Sequence, residues 1–166
     1  TADTTDLDID GAAVTVKDIG LSTAKDEING VNITGTTVNL DGDIYTAGTG
    51  NTVEITGAVT LGGATLIDTT TDGGAVTIPG AGAGAFDLDI LSGSGLAKIT
   101  GNIGLGGTPL ASLDINNTNT AGHTGGVELG GSIGTDSAAG AGSTRLGNPK
   151  TTGTITLSGV EYNTSG

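Results

Sequence analysis

The chain has no cysteine, methionine or tryptophan, only three prolines, and two Tyr and one Phe as its aromatic residues. Each shortage closes something off. Without thiols there is no disulfide and no thiolate metal site, and the compartment cannot be read from thiol chemistry. With Tyr45, Phe86 and Tyr162 as the aromatic set, a round core is hard to fill, since interiors pack at near-crystalline density and each gap costs stability. Cations are scarce too: 5 Lys and Arg against 18 Asp and Glu give a formal net charge of -13. Such a surface repels phosphate backbones and anionic headgroups, which argues against nucleic-acid partners and membrane insertion. No run approaches the roughly 18 apolar residues of a transmembrane helix, and Thr1-Ala2-Asp3-Thr4-Thr5-Asp6 is no signal peptide. The sequence therefore reads as a chain whose export information was removed or as an internal piece of a longer one.

Glycine is what the chain does have, 33 residues of 166. Gly, Thr, Ser and Asp together resemble a disordered composition. Against disorder stand short alternating β-branched runs, such as Val53-Glu54-Ile55-Thr56 and Thr154-Ile155-Thr156-Leu157. They recur in register. An aliphatic residue, a spacer and a Gly return as Ile9-Asp10-Gly11, Ile33-Thr34-Gly35, Ile55-Thr56-Gly57, Ile78-Pro79-Gly80 and Ile99-Thr100-Gly101, then more loosely as Leu129-Gly130-Gly131 and Leu157-Ser158-Gly159. The period is about 22 residues, longer for the last two phrases.

A second aliphatic position precedes the first by two residues: Leu7, Val31, Val53, Val76, Ala97, Val127 and Ile155. After the Gly a further pair often follows, as Val38/Leu40, Val59/Leu61 and Ile103/Leu105, with Ile133 and Val160/Tyr162 as weaker counterparts. Each unit thus reads as strand, glycine bend, strand and variable loop. Alternation places the aliphatic residues on one face. A sandwich has no reason to repeat one phrase at this interval, whereas coils stacked about 4.8 Å apart must keep equivalent positions equivalent. The expected fold is all-β, a single-stranded parallel β-helix (β-solenoid) of about seven coils forming one domain over residues 1–166. Ser22 to Glu27, the tract Gly80-Ala81-Gly82-Ala83-Gly84-Ala85 and the stretch from Thr135 to Thr144 read as loops.

The phrases Gly57-Ala58-Val59-Thr60-Leu61-Gly62-Gly63 and Gly106-Gly107-Thr108-Pro109-Leu110-Ala111-Ser112-Leu113-Asp114-Ile115 resemble those of giant bacterial exoproteins of the filamentous-haemagglutinin and autotransporter-passenger kind. The resemblance covers most of the chain. It implies a right-handed β-helix at, or released from, the bacterial cell surface. The secretion-recognition segment of that family carries Asn-Pro-Asn motifs; here Asn148-Pro149 is followed by Lys150. The resemblance is therefore to the repetitive shaft.

Candidate chemistry is sparse. Asp6, Asp8 and Asp10 before Gly11 begin like a calcium loop, but the twelfth position is Lys17 where a bidentate Glu is needed. Strand residues facing water are the plainer reading, and structural calcium is the one cofactor they suggest. Asp41/Asp43 and Asp87/Asp89 share the alternate spacing, leaving open a site across neighbouring coils. Gly130-Gly131-Ser132-Ile133-Gly134-Thr135-Asp136 lacks the spacing of the calcium-binding repeat. The spacer positions form an outward row, Asp10, Thr34, Thr56, Pro79, Thr100, Gly130 and Ser158, too mixed for an ice-binding Thr ladder. Arg145 and His123 lack convincing partners in sequence, so Arg145 is expected to pair with a surface acid and His123 to sit in a solvated turn. Phe86 is expected to be buried, leaving Tyr45 and Tyr162 as poor support for sugar binding.

With no nucleophile-base phrase and no phosphate loop, the chain reads as non-catalytic. Two functions remain: a structural shaft or filament component contacting itself or adjoining repeats, and an adhesive module whose loops bind a host, matrix or polysaccharide ligand. Neither end carries a capping segment, which favours stacking.

Overall fold

The computed structural model describes residues 5–22, 28–47, 50–70, 73–82, 84–104, 108–117, 123–134 and 140–164. Its strands are β1 (Thr5–Val16), β2 (Ile28–Leu40), β3 (Ile44–Tyr45), β4 (Thr52–Leu61), β5 (Thr65–Asp68) and β6 (Ala75–Ile78). They continue as β7 (Asp87–Leu91), β8 (Ala97–Ile99), β9 (Leu110–Ile115), β10 (Val127–Leu129), β11 (Ala141–Leu146) and β12 (Ile155–Leu157). The described residues contain no helix, so none is long and apolar enough to cross a membrane.

Among the described residues every strand pairing is parallel, and every one except β1 with β2 skips an intervening strand. Sheet A is seven-stranded in the order β1-β2-β4-β6-β8-β10-β12, and sheet B five-stranded in the order β11-β9-β7-β5-β3. Consecutive strands therefore alternate between sheets after β1, and each returns beside its predecessor one turn earlier. That is a β-solenoid, and it excludes the antiparallel sandwich. Five turns, β2–β3 through β10–β11, place a strand in each sheet.

The repeat register holds residue by residue in sheet A. Leu7 pairs with Val31, Val31 with Val53, Val53 with Val76, Val76 with Ala97, Ala97 with Val127 and Val127 with Ile155. The companion row runs Ile9, Ile33, Ile55, Ile78, Ile99, Leu129 and Leu157. Alternation turns both rows inward, and Ile33, Ile78 and Ile99 are completely buried, each contributing about 1.5–3 kcal/mol by leaving water. A slip between Thr34 and Thr37 absorbs the one extra residue of β2 within its paired span with β4. The bend glycines are set by close approach. At Gly57 φ is 126°, and a Cβ there would overlap the Gly35 carbonyl oxygen one turn below.

The expected pair after the bend is a real row, Val14, Val38 and Val59, continued by bridges from Ala81 to Ile103, Ile133 and Tyr162. Val14 and Val16 extend it to the first turn, where the sequence reading placed no counterpart. Ala81 is fully buried and bridged to Ile103, so the start of the Gly/Ala tract belongs to the coil wall; Ala83 lies outside the described residues and Ala85 is exposed. Leu105 and residues 23–27 and 135–139 lie outside the described residues, while Ala141 to Thr144 belong to β11.

The larger correction is sheet B. Segments read as variable loops carry a further inward row: Ile19, Ile44, Ile67, Ile90, Ile115 and Leu146. Ile44, Ile67, Ile90 and Ile115 are completely buried. The thin interior thus has two walls of strands and needs no aromatic filler. Phe86, expected inside, is 41% exposed just before β7.

Candidate functional site

Three regions carry the polar chemistry. The first is the outer face of sheet A, where Asp6, Asp8 and Asp10 project from alternate positions of β1 and are exposed. Alternate strand residues lie about 6.6 Å apart, which spreads the carboxylates along the strand instead of wrapping them round one ion. Their cross-strand neighbours are Gly30, Asn32 and Thr34. Asp6 and Asp8 line an open groove of about 220 Å³ with Asn32, Thr52 and Glu54. Among the described residues no three His, Asp or Glu side chains converge as metal ligands. Further along this face Lys98 meets Glu128 at 3.0 Å.

The second region is the outer face of sheet B, where acids from successive turns tie coils together. Ahead of it, just past the ends of β1 and β2, Lys17 pairs with Asp41. Asp43 accepts from the Tyr45 hydroxyl at 3.0 Å and from the Leu66 amide at 2.9 Å. Burial and the Asp43 bond push the Tyr45 hydroxyl up from its ordinary value, so this ring is engaged structurally. Next along the sheet, Asp89, Asp114 and Arg145 stand in one cross-strand row. Arg145 does pair with an acid, Nη1 donating to Asp114 Oδ2 at 2.9 Å, but that acid is only 6% exposed. Asp114 Oδ1 is buried with no hydrogen-bond partner. Burial first, then the charges of Asp114 and Asp87, push the Asp89 carboxyl above its ordinary range.

The third region is a buried polar corner following sheet B. Thr46, Thr69, Ser92 and Asn116 occupy the position just after their strands, and all are buried. Asn51 Nδ2 donates to Thr46 Oγ1 at 3.0 Å, and Thr69 Oγ1 donates to the Gly74 carbonyl at 2.6 Å. Asn116, at φ 54°, accepts from the Ser92 amide at 2.8 Å and donates through Nδ2 to Ser92 Oγ at 3.1 Å. One turn on, Gly147 takes the same left-handed position at φ 77°. The signal in the sequence was a small polar residue after each aliphatic run, as in Leu91-Ser92 and Ile115-Asn116.

His123 belongs to this buried part of the molecule. Expected in a solvated turn, it is 1% exposed, and neither ring nitrogen has a hydrogen-bond partner. Burial pushes its pKa down, against a smaller upward pull from the Gly93 carbonyl and Asp68.

At β12 the inward rows come to the surface: Ile155 is 42% and Leu157 51% exposed, and Val160 and Tyr162 are exposed beside them. Tyr162 is held by its hydroxyl, which accepts from the Gly159 amide at 2.7 Å. Compared with known proteins, the chain matches no family model, no curated protein and no solved structure.

Proposed function

We propose that the chain is a structural, non-catalytic segment of an extracellular fibre or adhesin shaft of the bacterial surface, which adds coils edge to edge. In this reading it is a right-handed solenoid of about seven coils, the hand favoured for parallel crossovers by strand twist. The observation that carries it is the β12 edge. Ile155 and Leu157 continue two core rows yet remain about half exposed, and among the described residues no strand pairs with the outer side of β12, an edge that can accept another strand.

The occupant that fits is the β1 edge of a second copy. Continuing the register sets Ile155 on Leu7, Leu157 on Ile9 and Gly159 on Gly11, so the aliphatic and bend-glycine rows run on unbroken. Outside, Thr156 would face Asp8 and Ser158 would face Asp10, hydroxyl donors opposite carboxylate acceptors. The chain already makes such a cross-strand bond internally, from Ser112 Oγ to Asp87 Oδ1 at 2.7 Å. A contact of this kind uses two different surfaces, so it propagates into a fibre instead of closing.

Sedimentation velocity over a wide concentration range, with electron microscopy of the concentrated sample, tests the reading. Growing end-to-end species are expected, abolished by Leu157→Asp with the circular dichroism unchanged. A concentration-independent monomer would overturn self-stacking.

A further inference from the structure

On the outer face of sheet B, Asp89 of β7 and Asp114 of β9 are register partners. Neighbouring strands run about 4.8 Å apart, so the two carboxyl groups rise side by side from adjacent turns. Asp114 is nearly buried, and Arg145 approaches it from β11 to take Oδ2. Oδ1 is left buried without a donor, and the neighbour on the β7 side is Asp89. A buried acceptor of this kind is costly unless something supplies a hydrogen.

A proton supplies it. We propose that Asp89 and Asp114 form a proton-binding dyad, in which Asp89 carries the proton and donates it to Oδ1 of Asp114. Two neighbouring carboxyl groups with one proton have one donor and one acceptor, whereas two carboxylates have only repulsion. A calcium ion fits less well, because it takes about six to eight oxygens and one of the four here is already engaged by Arg145.

The other groups facing the pair are Asp87 on β7, whose Oδ1 is occupied by Ser112, Asp43 ahead of β3, Leu66 on β5 and Arg145 on β11. Burial, then the charges of Asp114, Asp87 and Asp43, favour the neutral form of Asp89, and Arg145 alone opposes it. The fold then binds this proton more tightly than the unfolded chain does. Stability from the dyad is complete below the ordinary Asp value of about 3.9 and is lost as pH rises through the raised folded value. Sheet B thereby has a seam that tightens in acid, independent of any stacking at β12.

The test is a carboxyl-carbon NMR titration of the full chain, as wild type, Asp114→Asn and Asp89→Asn, in the presence of a chelator. The expected result is an Asp89 midpoint displaced upward in wild type and returned toward the ordinary value in Asp114→Asn. Asp89→Asn keeps a neutral donor beside Oδ1, so its thermal midpoint should exceed wild type at neutral pH and match it in acid. An Asp89 midpoint in the ordinary range in wild type, or one that Asp114→Asn leaves in place, would overturn the proposal. Should a variant not fold, the wild-type midpoint decides alone.

Discussion

Sheet A and sheet B stack the same kind of residue on the same kind of ladder, yet only one of them is announced by punctuation. In sheet A a glycine follows each aliphatic pair, because the turn there brings one backbone so close to the next that a Cβ would collide, as at Gly57 against Gly35. Sheet B ends its strands at a polar corner, where Thr69, Ser92 and Asn116 fasten the bend with side-chain hydrogen bonds. One corner is made by removing atoms and the other by adding donors and acceptors. A repeat search keyed to glycine finds the first and passes over the second.

The comparison breaks most sharply at the buried isoleucines. Ile90 and Ile78 are both completely buried, so truncation of either to Ala should cost a similar 2–5 kcal/mol, roughly. Urea denaturation of the pair measures this. An Ile90→Ala cost near zero, as for a loop residue, would show that sheet B is not a wall of the core.

The corner itself comes next. Asn116→Ala removes the acceptor for the Ser92 amide and leaves a non-glycine residue at positive φ, for a loss of about 1–3 kcal/mol. Asn116→Gly loses the same bonds but keeps the backbone at ease, as Gly147 does one turn later, and should lose measurably less. Equal losses would mean that the backbone conformation contributes nothing.

The two titrating groups then pull in opposite directions with pH. Buried His123 binds its proton less readily in the folded chain than in the unfolded one. Its contribution is intact above the ordinary imidazole value of about 6.5 and is lost as pH falls below it. His123→Gln should therefore remove an acid-side slope from thermal midpoints measured across that window, whereas Asp89→Asn removes a slope of the other sign. Identical slopes in His123→Gln and wild type would place the imidazole in contact with water.

The smallest effect belongs to the surface pair Lys98 and Glu128. Both side chains are about one-third exposed, so a double-mutant cycle should give roughly 0–1 kcal/mol, falling with added salt.

Much of sheet A was legible in the sequence. Its two aliphatic rows, its outward row from Asp10 to Ser158 and its bend glycines all follow from one phrase that a stacked coil must repeat. Sheet B was hidden because its corners are polar and carry no recurrent glycine just after the strand, and because the companions of its Ile row mix Leu88 and Leu113 with Thr65 and Thr144. The Asp89, Asp114 and Arg145 cluster was out of reach for a different reason. Its members come from three separate turns, and only the stacking register brings them into one row. His123 misled because Gly and Thr surround it in sequence, a setting that reads as a turn whether the ring points out or in.

The ladders also differ from one end of the molecule to the other. β1 and β2 are bonded along nearly their whole length, from Thr5 to Val16, whereas β10 and β12 share only Val127–Leu129 with Ile155–Leu157. In a solenoid these bonds lie along the long axis, so a pull on its two ends loads each interface in series and the weakest yields first. Under tension the described coils would peel from the β12 side, one short ladder at a time, while the long β1–β2 ladder held.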